Sequence, residues 1–162
     1  MVAQWESTPL KTVRSGVQIS PIPPPFLSMN KTVLLFGTFD GIHAGHRDLL
    51  KQASKHGDRI IIILARDETV HHVKGRAPVH TEQVRCDTLR QEPGVSEVLL
   101  GSLGDKYAAI KDIKPDVIAL GYDQQAFTDK LEKYIGDHLP QTRIVRLDPF
   151  HPELYKSSLL TK

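Results

Sequence analysis

A doubly wound α/β sheet is the fold this chain predicts, and three observations carry the prediction. Short apolar runs rich in β-branched residues recur from Lys31 onward, separated by longer amphipathic stretches. The runs are apolar without alternation, as in strands covered on both faces of a parallel sheet. Pro115 and Pro140 stand between a helical stretch and the next strand, where a helix has to stop. Strands alternating with helices in this way give one parallel sheet, here of five strands, with helices on both sides.

The elements follow in order. A first strand is expected over residues 32–36 and a helix over 45–56, with Leu49, Leu50 and Ala53 on one face. Gly57 stands where a helix C-terminus favours glycine. The second strand is expected over 59–64. The stretch after it, with His71, His72 and His80, reads as loop. Thr81 is a suitable N-cap for a helix over 81–91. Then come a strand over 97–100, a helix over 107–113, a strand over 116–120, a helix over 124–139 and a strand over 143–147. No internal repeat is present.

Composition bounds the function. The chain has 162 residues, 25% charged and 40% hydrophobic, with a net charge of +2. That length suits one domain with a proper core. Without a long basic block, nucleic acid is not the expected partner. The longest apolar run, residues 60–65, is too short for a bilayer, so no membrane is expected either. Cys86 is the only cysteine, which excludes an internal disulfide and a Cys-rich zinc site and fits a reducing cytoplasm. Residues 1–28 differ from the rest. They carry Pro9, Pro21, Pro23, Pro24 and Pro25, show neither period, and lack the apolar core of roughly 7–15 residues that a signal peptide needs. They resemble the conceptual translation of a structural-RNA gene upstream of the open reading frame, with Met29 the true start; the alternative is a real, disordered proline-rich tail. The domain is therefore expected over 29–162.

In a doubly wound sheet, ligands bind at the carboxyl ends of the strands. The unusual residues stand there. Gly37-Thr38-Phe39-Asp40 follows the first strand, Ala65-Arg66-Asp67 the second, Gly101-Ser102 the third and Gly121-Tyr122-Asp123 the fourth. Gly37 and Gly41 permit a tight turn and close backbone approach. Gly45 stands near a helix start, where N–H groups and the dipole favour phosphate. His43 and His46 project toward the same space, and imidazole N–H groups bind phosphate oxygens. Two alternatives stay open. Histidines at this spacing can bind zinc, but a stable site needs three or four ligands. They can also be packing or capping residues. Glycines spaced by four do not make a dinucleotide fingerprint.

Gly37-Thr38-Phe39-Asp40 followed by His43-Ala44-Gly45-His46 resembles the signature of the cytidylyltransferase-like nucleotidyltransferases, and the resemblance runs from about Lys31 to the C-terminus. It implies a Rossmann-like nucleotidyltransferase fold. It also implies an enzyme in which a phosphorylated acceptor attacks the α-phosphate of a nucleoside triphosphate and releases pyrophosphate, with magnesium carried by the nucleotide and no dedicated protein metal site. A homodimer is implied as well. The catalytic residues by resemblance are His43, His46, Lys74 (as a mobile-loop lysine) and Arg85. The nucleotide-binding set is Gly37, Thr38, Phe39, Asp40, Gly45, Gly121, Tyr122 and Asp123, with Ser157 and Ser158 as a C-terminal hydroxyl motif. Leu159 stands where the family often has a lysine. Asp40 is read as orienting the phosphate turn or holding magnesium.

Ala65-Arg66-Asp67-Glu68-Thr69-Val70, Lys74-Gly75-Arg76-Ala77-Pro78 and Leu120-Gly121-Tyr122-Asp123-Gln124 resemble archaeal-type FAD synthases, which transfer AMP from ATP to FMN. Glycerol-3-phosphate cytidylyltransferase has the same core motif and is the alternative. A binding module without catalysis is the rival from another class; it could dispense with His46, Lys74 and Arg85, and all three are present.

Overall fold

The computed structural model describes residues 30–125, 128 and 130–150. Residues 1–28, Ser157 and Ser158 lie outside them. Five strands form one parallel sheet: β1 Thr32–Gly37, β2 Arg59–Leu64, β3 Val95–Leu100, β4 Val117–Leu120 and β5 Arg143–Arg146. The spatial order is β3-β2-β1-β4-β5. The chain thus winds outward from β1 to β3, then returns to the other side for β4. The strand order reverses between β1 and β4, and the ligand crevice of such a sheet opens at their carboxyl ends.

Five helices are seen among the described residues: α1 Ala44–Ala53, α2 Asp67–Lys74, α3 Glu82–Arg90, α4 Ala108–Ile113 and α5 Leu131–His138. Successive side chains of a strand point to opposite faces, so each strand feeds two cores. Val33, Leu35, Ile60, Ile62 and Leu64 pack with Leu50 and Ala53 of α1 and Cys86 and Leu89 of α3. Leu34, Phe36, Ile61, Ile63, Ile118 and Leu120 pack with Ile110 of α4 and Leu131 and Ile135 of α5. Both faces are dry, which is why the strands read as unbroken apolar runs. Beyond β5, Gln52 of α1 holds the backbone of Asp148 in both directions: its amide donates to the carbonyl at 3.1 Å and its oxygen accepts from the N–H at 2.9 Å.

Three expectations change. The loop after β2 contains α2, whose acidic first turn (Asp67, Glu68) and basic last turn (His71, His72, Lys74) both oppose the helix dipole favourably. The helix expected over 124–139 starts only at Leu131, after a turn over Gly121 to Gln124. The first helix ends at Ala53, so Gly57 is not its cap. No helix among the described residues is long and apolar enough to cross a membrane.

Candidate active site

The turn after β1 is built on two left-handed residues, Phe39 with φ 48° and Gly41 with φ 85°. A phenylalanine in that region is strained, and such strain persists only where surrounding structure enforces it. Here Phe39 is buried in the core, and its ring occupies the space a side chain on Gly37 would need: a Cβ there would lie 2.6 Å from the Phe39 ring. Gly37 and Phe39 are therefore one device, which folds the turn back over the end of β1.

His43 is the N-cap of α1, and its Nδ1 accepts from the Gly45 N–H at 3.1 Å. An accepting Nδ1 carries no proton, so the neutral ring holds its proton on Nε2. His46 stacks on His43, ring centroids 3.8 Å apart, and tilts against Phe39 at 5.0 Å. Burial, then the neighbouring His43, pushes His46 down to about 3, with Lys74 adding to the effect and a hydrogen bond with the Gly41 backbone opposing it. Burial also lowers His43. Both rings are neutral near pH 7, so they meet an anion first as hydrogen-bonding dipoles. An anion beside them would raise both values, because an opposite charge favours the protonated form.

Asp40 is buried at the tip of the same turn. Its carboxylate accepts from the Val79 N–H at 2.6 Å and, through Oδ1, from the His80 N–H at 2.9 Å; the His80 ring lies against Oδ1 at 2.9 Å. Burial works against its charge, but the hydrogen bonds from Val79 and His80 win and hold the carboxyl below its ordinary value. Asp40 thus staples the segment between α2 and α3 onto the turn after β1.

Lys74 is the last residue of α2, which stops at Gly75 in the left-handed conformation. Desolvation, then Arg76 and Arg85, lower its ammonium below the usual lysine value; Asp40 and Asp123 act in the opposite sense. The lysine therefore stands within electrostatic reach of both the turn after β1 and the loop after β4, one on each side of the crevice.

Arg85 on α3 is 1% exposed. Its Nε donates to the His80 carbonyl at 3.0 Å, Nη1 to Thr38 at 2.7 Å, and Nη2 to Ala65 at 2.9 Å and to the Asp67 carboxylate at 2.6 Å. One planar fork ties together the ends of β1 and β2, the start of α2 and the segment before α3. Glu82 extends the tie, accepting from Arg66 Nε at 2.9 Å and from the Asp67 N–H at 2.8 Å.

A family model for cytidylyltransferase-like proteins matches residues 34–156. The chain belongs to the cytidylyltransferase-like family. An FAD synthase of Thermococcus onnurineus is 38% identical over 125 residues, covering 76% of this chain and 81% of that protein. A crystal structure of the lipopolysaccharide core biosynthesis protein from Thermoplasma volcanium has a TM-score of 0.69 and 32% identity, over 74% of this chain and 98% of that one. The α/β nucleotidyltransferase architecture expected from the sequence is the one found, and membership makes the chain a nucleotidyltransferase.

In this family member the structure gathers Gly37, Thr38, Phe39, Asp40, His43, Gly45 and His46 at one strand end. Gly121, Tyr122 and Asp123 form the turn after β4 across the crevice. Two placements differ from what the resemblance implies. Lys74 ends a helix rather than standing in a loop. Arg85 faces inward, with its donors given to protein acceptors. Among the described residues no group of three or more His, Cys, Asp or Glu is arranged to hold a metal ion. His80 and Arg146 were missed, and Asp67 was noted after the second strand without a role. Asp67 had a signal, an acidic residue just after a strand and at a helix start. Arg146, a charge at the carboxyl end of the fifth strand, had one too. The His80–Asp40 pair spans 40 residues and had none.

Proposed function

We propose that this chain is an FMN adenylyltransferase, joining AMP from ATP to the phosphate of FMN to give FAD and pyrophosphate. The observation that carries this reading is the 38% identity with an FAD synthase across four-fifths of that protein's length. An oxygen of the FMN phosphate forms a bond to the α-phosphorus. The bond from that phosphorus to the bridging oxygen breaks, and pyrophosphate leaves with the electron pair. Such a transfer needs positioning and charge stabilisation more than covalent help. The N-terminus of α1, with His43 and His46, supplies fixed dipoles for phosphate oxygens. Lys74 supplies a cation over them. Asp40 and Arg85 keep these groups in place.

Magnesium fits as an ion carried by the nucleotide, because the Asp40 carboxylate of the turn after β1 is committed to the Val79 and His80 segment. Carried in with the nucleotide, it would offset charge that develops on the leaving pyrophosphate. The family resemblance supports a homodimer, and the lone buried cysteine supports a cytoplasmic setting. The test is pyrophosphate release across a grid of ATP, CTP, GTP and UTP against FMN, glycerol 3-phosphate and sugar phosphates. Release confined to ATP with FMN is expected; release confined to CTP with a polyol phosphate would replace the reading with a cytidylyltransferase one.

A further inference from the structure

Arg146 is the last residue of β5, in register with Leu120, the last residue of β4. From there its Nη1 donates to the Gly121 carbonyl at 2.8 Å and the Gln124 carbonyl at 2.9 Å, with that of Tyr122 at 3.5 Å. Three carbonyls of one four-residue turn converge on one nitrogen. The turn also closes on itself: the Gln124 N–H donates to the Gly121 carbonyl at 3.1 Å, and the Gly121 N–H to the Gln124 side-chain oxygen at 3.3 Å.

The position of this turn gives the contacts a meaning. Strand order reverses between β1 and β4, so the turn forms the wall of the crevice opposite the phosphate turn. It rests on α1, since a Cβ on Gly121 would lie 3.5 Å from Leu49 Cδ1. Its Asp123 acts electrostatically on Lys74. The Tyr122 hydroxyl is enclosed by protein with no hydrogen-bond partner among the described residues. A triphosphate anchored on the β1 side has to send its base, or the ring of the acceptor, toward this wall.

Resting on the adenylyltransferase reading, we propose that Arg146 is a positioning residue that sets which base the crevice accepts. The phosphate contacts are the same for every nucleotide and distinguish none. Discrimination needs hydrogen-bonding groups at fixed positions, because a reader left unpaired by the wrong ligand rejects it strongly. Arg146 fixes the turn. It also engages the Gly121 and Gln124 carbonyls, which the turn could otherwise present to a ring. Without it those acceptors become available and the turn loses its outer support, so adenine and cytosine are told apart less well.

The experiment is calorimetric titration of the full chain and of Arg146→Met with magnesium ATP, magnesium CTP and inorganic pyrophosphate, alongside thermal melts. Expected is a ratio of ATP to CTP affinity about tenfold or more smaller in R146M, on the scale of a mispaired polar reader. Pyrophosphate affinity should stay within about twofold, because the phosphate side of the crevice is untouched. Arg146→Lys keeps one charged donor nitrogen but on a more flexible stem, and should recover part of the ratio. An unchanged ratio in R146M overturns the proposal. So does parallel weakening of ATP, CTP and pyrophosphate with a lower melting point, which marks a merely structural arginine. A wild-type chain that binds ATP and CTP equally overturns it as well. If the wild type prefers one nucleotide yet makes no FAD, the FMN reading fails and the Arg146 inference is still judged on the ratio.

Discussion

Replacing Arg85 by methionine separates two accounts of the turn after β1. The guanidinium is 1% exposed and donates to three carbonyls and one carboxylate. Methionine fills much of the volume and donates nothing. A buried acceptor left without its donor costs about 1–3 kcal/mol. The three carbonyls lie at the end of the sheet, where relaxation admits some water, so the low end applies to each and gives about 3 kcal/mol. Asp67 is more than a third exposed and loses its partner into solvent, so it adds little. For a domain of this size 1 kcal/mol shifts the melting point by about 2–4 °C, so Arg85→Met should melt roughly 6–12 °C lower. The assay is a far-ultraviolet melt paired with steady-state kinetics, both substrates varied, at a temperature where variant and wild type are folded. Because the tie holds β1, β2, α2 and the segment before α3 together, kcat should fall with both substrates saturating. Arg85→Lys should lie between, since one ammonium cannot serve four acceptors in a plane. A melting point within about 2 °C of wild type, with only the KM for ATP raised, would refute this reasoning and return Arg85 to direct triphosphate contact.

Further outcomes follow from the same geometry. His46→Ala should lower kcat by roughly 100-fold, the scale for one preorganised donor, with the protein still folded by circular dichroism. Stability should also depend on pH through His46, whose value drops from 6.5 to about 3 on folding. Between those values the unfolded chain holds the extra proton, so stability falls as pH drops through the window, by up to about 1.4 kcal/mol per unit, and His46 contributes no slope above it. Melts of wild type and His46→Asn from pH 4 to 8 check this; equal slopes below pH 6 would contradict it. Lys74→Ala should raise the KM for ATP about tenfold or more, the worth of a charge-assisted hydrogen bond, and leave that for the acceptor nearly unchanged.

The strands were legible because their burial is two-sided. The run Ile60-Ile61-Ile62-Ile63-Leu64 has no polar position to disguise it, and both cores draw on it. The turn of Gly37 to His46 was legible because glycines and histidines just after a strand have few other uses at a switch point. Helix α2 was missed because it buries one residue, Val70, and so shows no apolar stripe. Its marks are electrostatic: acids first, bases last, then Gly75. Arg85 was placed on the correct helix, but sequence gives no direction for a side chain. Thr38, Ala65, Asp67 and His80 become its acceptors only when two strand ends and two helices meet. The same holds for Asp40, whose partners Val79 and His80 come from far along the chain.

The central claim, that this crevice joins AMP to FMN, is tested most directly by chromatography of the products formed with ATP and FMN, and with CTP and glycerol 3-phosphate. The account predicts an FAD peak, with equimolar pyrophosphate, that is lost in His46→Ala. A CDP-glycerol peak with no FAD would contradict it.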